Sequence, residues 1–102
     1  MDTRVKLLVS YDIHADSQQT YYQYVVGEFL PAAQQMGLPL VDAWHTLYGK
    51  HPARLLAFVA RDRATLDAIM NRDEWRQMED KLLGFVTGYQ RKIVPYRDRF
   101  QL

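Results

Sequence analysis

Cysteine is absent from this chain of 102 residues. Disulfides, thiolate nucleophiles and sulfur-ligated metals are therefore excluded. Long apolar runs are missing as well, none approaching the ~18 residues of a membrane span. Charge of one sign is not in excess. Thirteen basic and twelve acidic side chains leave a formal net charge of +1, which gives no bulk attraction to nucleic acid or to an anionic membrane. Glycine is scarce at five residues, and neither a phosphate-cradling loop nor a nucleophile elbow occurs. The opening Met1-Asp2-Thr3-Arg4 runs straight into a strand pattern without the layout of a signal peptide. These absences predict a cytoplasmic protein with no cofactor, no metal, no nucleic-acid partner and no membrane partner.

What is present is an order of elements. Val5, Leu7, Val9, Tyr11 and Ile13 alternate with Lys6, Leu8, Ser10, Asp12 and His14, a period-two signal for a strand. Asp16 or Ser17 is placed to cap a helix. The helix runs to about Met36, with Tyr22, Val25, Val26, Phe29, Ala33 and Met36 as its apolar stripe. Pro31 predicts a kink, since its ring meets the carbonyl of Gly27. Gly37 suits the left-handed residue after the helix, and Pro39 prevents continuation. Residues 40–48 read as a second strand, Gly49-Lys50-His51-Pro52 as a turn, and residues 54–61 as a third strand. That third strand is apolar on both faces through its middle and so central in the sheet. Asp62 caps a second helix, broken at Asn71-Arg72-Asp73, where Asn71 or Asp73 recaps a continuation carrying Trp75, Met78 and Leu82. Residues 87–94 form the last strand, polar enough for an edge and limited by Pro95.

Strand, helix, strand, strand, helix, strand fills residues 1–102 as one domain. Right-handed crossovers around the central hairpin give an α+β, ferredoxin-like βαββαβ fold, with four antiparallel strands and both helices on one face. The other face then exposes a set such as Val5, Leu7, Val9 and Tyr11. A patch of that size is rare on a monomer, so a sheet-mediated homodimer is expected. An RNA-recognition domain shares the element order, but the third strand lacks the glycine–aromatic signature. A metallochaperone of this topology needs paired cysteines.

The segment Ala64-Thr65-Leu66-Asp67-Ala68-Ile69-Met70-Asn71-Arg72-Asp73-Glu74-Trp75 is a short helix, a polar break, and a Trp that begins the next helix. With Pro95-Tyr96 and Phe100-Gln101 at the close, the chain resembles the dimeric α/β-barrel superfamily of antibiotic-biosynthesis monooxygenase-like and NIPSNAP-like proteins. The resemblance implies a homodimer with a barrel formed by two sheets, and a pocket between helices and sheet in each subunit. Relatives in that superfamily include cofactor-free oxygenases, haem-degrading enzymes, isomerases, lyases and proteins without assigned activity.

Candidate site residues follow from chemistry. His14 shares a strand face with Ser10 and Asp12, a row suited to an acid–base pair; a solvated strand end is the plainer reading. His45 stands between Trp44 and Thr46, either as a pocket group or as a core or interface histidine with one partner. Trp44, Tyr48, Trp75 and Tyr89 offer apolar bodies with polar tips for a cavity, or simply an aromatic-rich core. Tyr21, Tyr22 and Tyr24 crowd the start of the first helix. Arg91 alternates with Tyr89 and Ile93, so it points inward toward a carboxylate or anionic substrate, unless it is solvated at the edge. The expected function is oxygenase-like or acid–base chemistry on a small hydrophobic substrate. His14, His45 and Asp12 would be catalytic, and Trp44, Tyr48, Trp75 and Arg91 substrate-binding. The alternative is a non-catalytic dimeric binding or stress-associated module.

Overall fold

A computed structural model of the chain describes residues 2–48 and 51–97, without the side chains of residues 47, 48, 51 and 52. Strand β1 (Val5–Ile13) leads through a tight turn into helix α1 (Gln18–Tyr24), a wider turn (Val25–Phe29) and α2 (Leu30–Gln35). Strands β2 (Leu40–Tyr48) and β3 (His51–Ala60) follow, then α3 (Arg63–Met70), α4 (Asp73–Leu83) and β4 (Val86–Pro95). The four strands pair in the order β2-β3-β1-β4, every neighbour antiparallel. This is the ferredoxin-like arrangement expected from the sequence, with β3 central and β4 at an edge. His51 and Pro52, expected in the turn, instead pair in the ladder opposite Tyr48 and Leu47. Gly49, Lys50, Phe100 and Gln101 lie outside the described residues.

The two sheet faces are the reverse of the expected assignment. Leu7, Val9, Tyr11 and Ile13 are all at most 3% exposed, because the helices cover their face. The open face carries Lys6, Leu8, Ser10 and Asp12 from β1. Beside them stand their partners Val59, Ala57, Leu55 and Ala53 from β3. The physical reason is that an unbroken apolar row gains more from helix cover than one interrupted by Lys6, Ser10 and Asp12.

The first helix also differs in phase. Tyr21, Tyr24, Val25, Phe29 and Ala33 are buried, whereas Tyr22 and Val26 are exposed. Tyr21, Val25, Phe29 and Ala33 are four residues apart. In a regular helix of 3.6 residues per turn such a series drifts around the axis. The wider turn of Val25–Phe29, closed by the Leu30 N–H on the Val25 carbonyl, takes up part of that drift. It immediately precedes Pro31, so the disturbance expected at the proline takes this form. Neither Asp16 nor Ser17 caps α1 through its side chain; a 3-10 turn, Ala15–Ser17, leads in instead.

The other helix signals are met more directly. Gly37 has φ +98, the left-handed conformation after a helix that glycine adopts without steric cost. The Asp62 carboxylate accepts from the Thr65 N–H at 2.7 Å and caps α3. At the break, Arg72 occupies the cap position of α4 and makes no side-chain cap bond. Asp73 and Glu74 stand in the first turn, where negative charge faces the positive end of the helix dipole.

The core centres on Trp75, which is fully buried. Its ring lies 5.5 Å from that of Phe29, which in turn lies 6.2 Å from Phe58 on β3. The indole Nε1 is buried with no hydrogen-bond partner, a cost of about 1–3 kcal/mol. Trp75→Ala should therefore lose ~3–5 kcal/mol in urea unfolding. Trp75→Phe should lose clearly less, because it removes the orphaned N–H along with some volume. Equal losses in the two variants would show that the indole N–H has a partner.

Candidate functional site

Polar groups gather at one end of the layer between helices and sheet. On β1, Tyr11 stands opposite Arg54 of β3, and Arg54 stands opposite His45 of β2. Cross-strand partners share a face, and Arg54 is in phase with Leu56 and Phe58, which are buried under the helices. On the other side of Tyr11 the pairing shifts between Ser10 and Asp12. Gly88, at φ +64, supplies the left-handed residue that such a bulge takes. The bulge sets Tyr89 beside Tyr11, the rings stacked at 6.2 Å and 13°. His45, Arg54, Tyr11 and Tyr89 thus form one row across all four strands.

Helix α1 closes over this row. The hydroxyls of Tyr11 and Tyr21 are bonded to each other at 2.5 Å. Arg54 donates from Nη2 to the Tyr22 hydroxyl, and its guanidinium carbon lies 4.9 Å from the centre of the Tyr22 ring. Arg54 Nε is buried and has no partner. At the β4 side, Tyr89 donates to Glu79 of α4 at 2.7 Å, and Arg91 Nη1 meets the same Glu79 oxygen at 3.1 Å. Arg91 also reaches the sulfur of Met70 at 3.7 Å. Glu79 therefore ties the second helix pair to the last strand.

The residues singled out in the sequence are spread over both faces. His45 lies in the row and is exposed, and Arg91 follows Tyr89 by two residues on the same face of β4, paired with the Glu79 carboxylate. Trp75 is in the core. Asp12 and Trp44 belong to the open face, opposite Ala53 and Leu55. His14 is exposed just beyond β1, its backbone N–H donating to the Phe85 carbonyl at 3.0 Å. The Tyr48 side chain lies outside the described residues. The sheet thus sets His45 and Arg91 on the same face but on opposite edge strands, and it leaves His14, Asp12 and Trp44 apart from both. Among the described residues, no three His, Asp or Glu side chains converge to hold a metal ion, and no helix is long and apolar enough to cross a membrane.

No protein-family model matches this chain, and no curated protein is similar to it in sequence. Solved structures are similar in shape. A conserved protein of unknown function from Bacteroides thetaiotaomicron, for which an oxidoreductase role is suggested, superposes with a TM-score of 0.74 at 8% identity, over 94% of this chain and 100% of that one. An uncharacterised NIPSNAP domain protein from Burkholderia xenovorans gives 0.69 at 12% identity, over 95% and 98%. A proposed antibiotic biosynthesis monooxygenase from Nitrosomonas europaea gives 0.69 at 8%, over 94% and 92%. The chain has the fold of the antibiotic-biosynthesis monooxygenase-like and NIPSNAP-like proteins. At such low identity the likeness concerns the fold alone, and a fold of this kind hosts many chemistries.

Within this monooxygenase-like and NIPSNAP-like fold, the groups that sequence reasoning passed over are Arg54, Glu79 and the Tyr11–Tyr21 pair. Arg54 was open to detection, since it keeps the phase of Leu56 and Phe58. Glu79 and Tyr21 depend on how the helices sit on the sheet. Burial is the leading cause that pushes the Tyr11, Tyr21 and Tyr89 hydroxyls above their usual range, and it raises Tyr24 to about 12. A phenol whose folded pKa exceeds its unfolded value of ~10 stabilises the fold fully below that value. The contribution is lost as pH rises through the folded pKa. The melting temperature should therefore fall as pH climbs from ~10 toward about 12, and phenolate absorbance of the buried tyrosines should appear with the loss of circular dichroism. Ionisation of every tyrosine while the fold persists would contradict this burial.

Proposed function

We propose that the protein is a homodimer that binds a small hydrophobic molecule at the row of His45, Arg54, Tyr11 and Tyr89 and performs acid–base chemistry on it. The observation that carries this reading is a buried phenol pair, Tyr11 with Tyr21 above it, beside a guanidinium in a row that ends at an exposed imidazole. An imidazole both accepts and donates a proton. The phenols keep their protons at neutral pH and act as fixed hydroxyl groups that orient an oxygen of the ligand. Arg91 and Glu79 brace the far side through Tyr89. A non-catalytic binding module is the second reading, favoured by the solid packing of Trp75, Phe29 and Phe58 in the middle of the layer.

The homodimer rests on the open sheet face. Leu8, Trp44, Leu55, Val59 and Val94 are only half-buried there, and each 100 Å² of apolar surface covered contributes roughly 2.5 kcal/mol before association costs. A two-fold interface sets a patch against its own copy. This face suits that, because it carries Lys6 and Lys92 as well as Asp12 and Asp42. Light scattering should give twice the chain mass of 12.0 kDa, and Leu8→Asp should reduce it to a folded single chain. A wild-type particle of single-chain mass would overturn the dimer.

The site is tested by NMR with a panel of small hydrophobic carbonyl compounds. Shifts should centre on His45, Tyr11, Tyr21 and Tyr22. His45→Ala should keep the fold, since the side chain is exposed, and should abolish turnover of any compound found to react. A footprint confined to the open sheet face, or none, would remove this reading.

A further inference from the structure

The side-on fork of a guanidinium consists of Nε and Nη2, and a carboxylate accepts from both at once. In Arg54 one prong, Nη2, is occupied by the Tyr22 hydroxyl. The other prong, Nε, is buried with no acceptor among the described residues. No carboxylate pairs with Arg54 among the described residues. The described groups beside it include Tyr11, Tyr21, Tyr22 and His45, none of them a carboxylic acid. A half-buried cation surrounded by phenols has given up part of its hydration without gaining a counter-charge. Arg91, on the same face but across β1 on β4, does have its carboxylate in Glu79. The contrast separates a braced arginine from one left open.

Tyr22 is suited to yield its place. It is 39% exposed and stands on the outer side of α1, so its ring can turn toward solvent without opening the core. Tyr11, Tyr21 and Tyr89 supply aromatic surface next to the fork, with ring contacts of 5.8 and 6.2 Å among them. We propose that Arg54 is a carboxylate-binding residue, and that the molecule taken up at this row is a small, flat, hydrophobic acid whose carboxylate displaces the Tyr22 hydroxyl and occupies both prongs of the fork. This rests on the small-molecule reading of the row and narrows it to one ligand class.

The test uses the full chain and two probes of equal shape, benzoate and benzamide, titrated by NMR on the tyrosine ring signals. Benzoate should bind about tenfold or more tightly than benzamide, as expected for a charge-assisted fork against a neutral amide. Its footprint should include Tyr22 and Arg54. Arg54→Gln should remove that preference, bringing the two probes to within about twofold of each other, and Arg54→Lys should keep only part of it, because an ammonium lacks the planar fork. Should Arg54→Gln fail to fold, the comparison of the two probes on the wild-type chain decides alone. Equal affinities at the same residues would overturn the carboxylate assignment and leave the small-molecule site standing. No footprint from either probe at the row would remove both.

Discussion

The alternation along β1 is the constraint on which the remaining structure depends. Leu7, Val9, Tyr11 and Ile13 face the helices, and Lys6, Leu8, Ser10 and Asp12 face away. A slip of one residue would exchange these sets and place a lysine and an aspartate in the core. Because β1 pairs with both β3 and β4, its phase sets theirs, and hence which side chains meet across the sheet. The row of His45, Arg54, Tyr11 and Tyr89 exists only because this one strand is locked.

Polar groups inside such a layer carry a cost, and the arrangement limits it in different ways. Tyr11 and Tyr21 satisfy each other. Tyr24 donates to the Met78 carbonyl at 2.8 Å, which ties α1 to α4. Tyr89 and Arg91 share Glu79. Among the described residues, two buried groups stay unmatched, the indole N–H of Trp75 and the Nε of Arg54. They differ in setting. Trp75 lies in the closed middle, where an unmet N–H is a packing compromise. Arg54 lies at the end of the layer beside an exposed tyrosine, Tyr22, where an unmet donor is available to a ligand.

Resemblance in shape to monooxygenase-like and NIPSNAP-like proteins accounts for the layers and the strand order. It does not carry a reaction across, because chemistry resides in side chains grafted onto the layers and identities here are 8% and 12%.

Local chemistry by itself determined the element order, the Asp62 cap, the left-handed Gly37 and the break before Trp75, since each is a matter of spacing or of a neighbour within a few residues. Which face of β1 is covered was not decided locally. Both faces carry apolar residues, and only the seating of the helices discriminates between them. The phase of the first helix escaped for a similar reason, because a five-residue wide turn leaves no periodic signature in a stripe that also contains Tyr22 and Val26. The polar row was likewise hidden. His45, Arg54, Tyr11 and Tyr89 are far apart along the chain, and nothing short of strand register and a bulge brings them together.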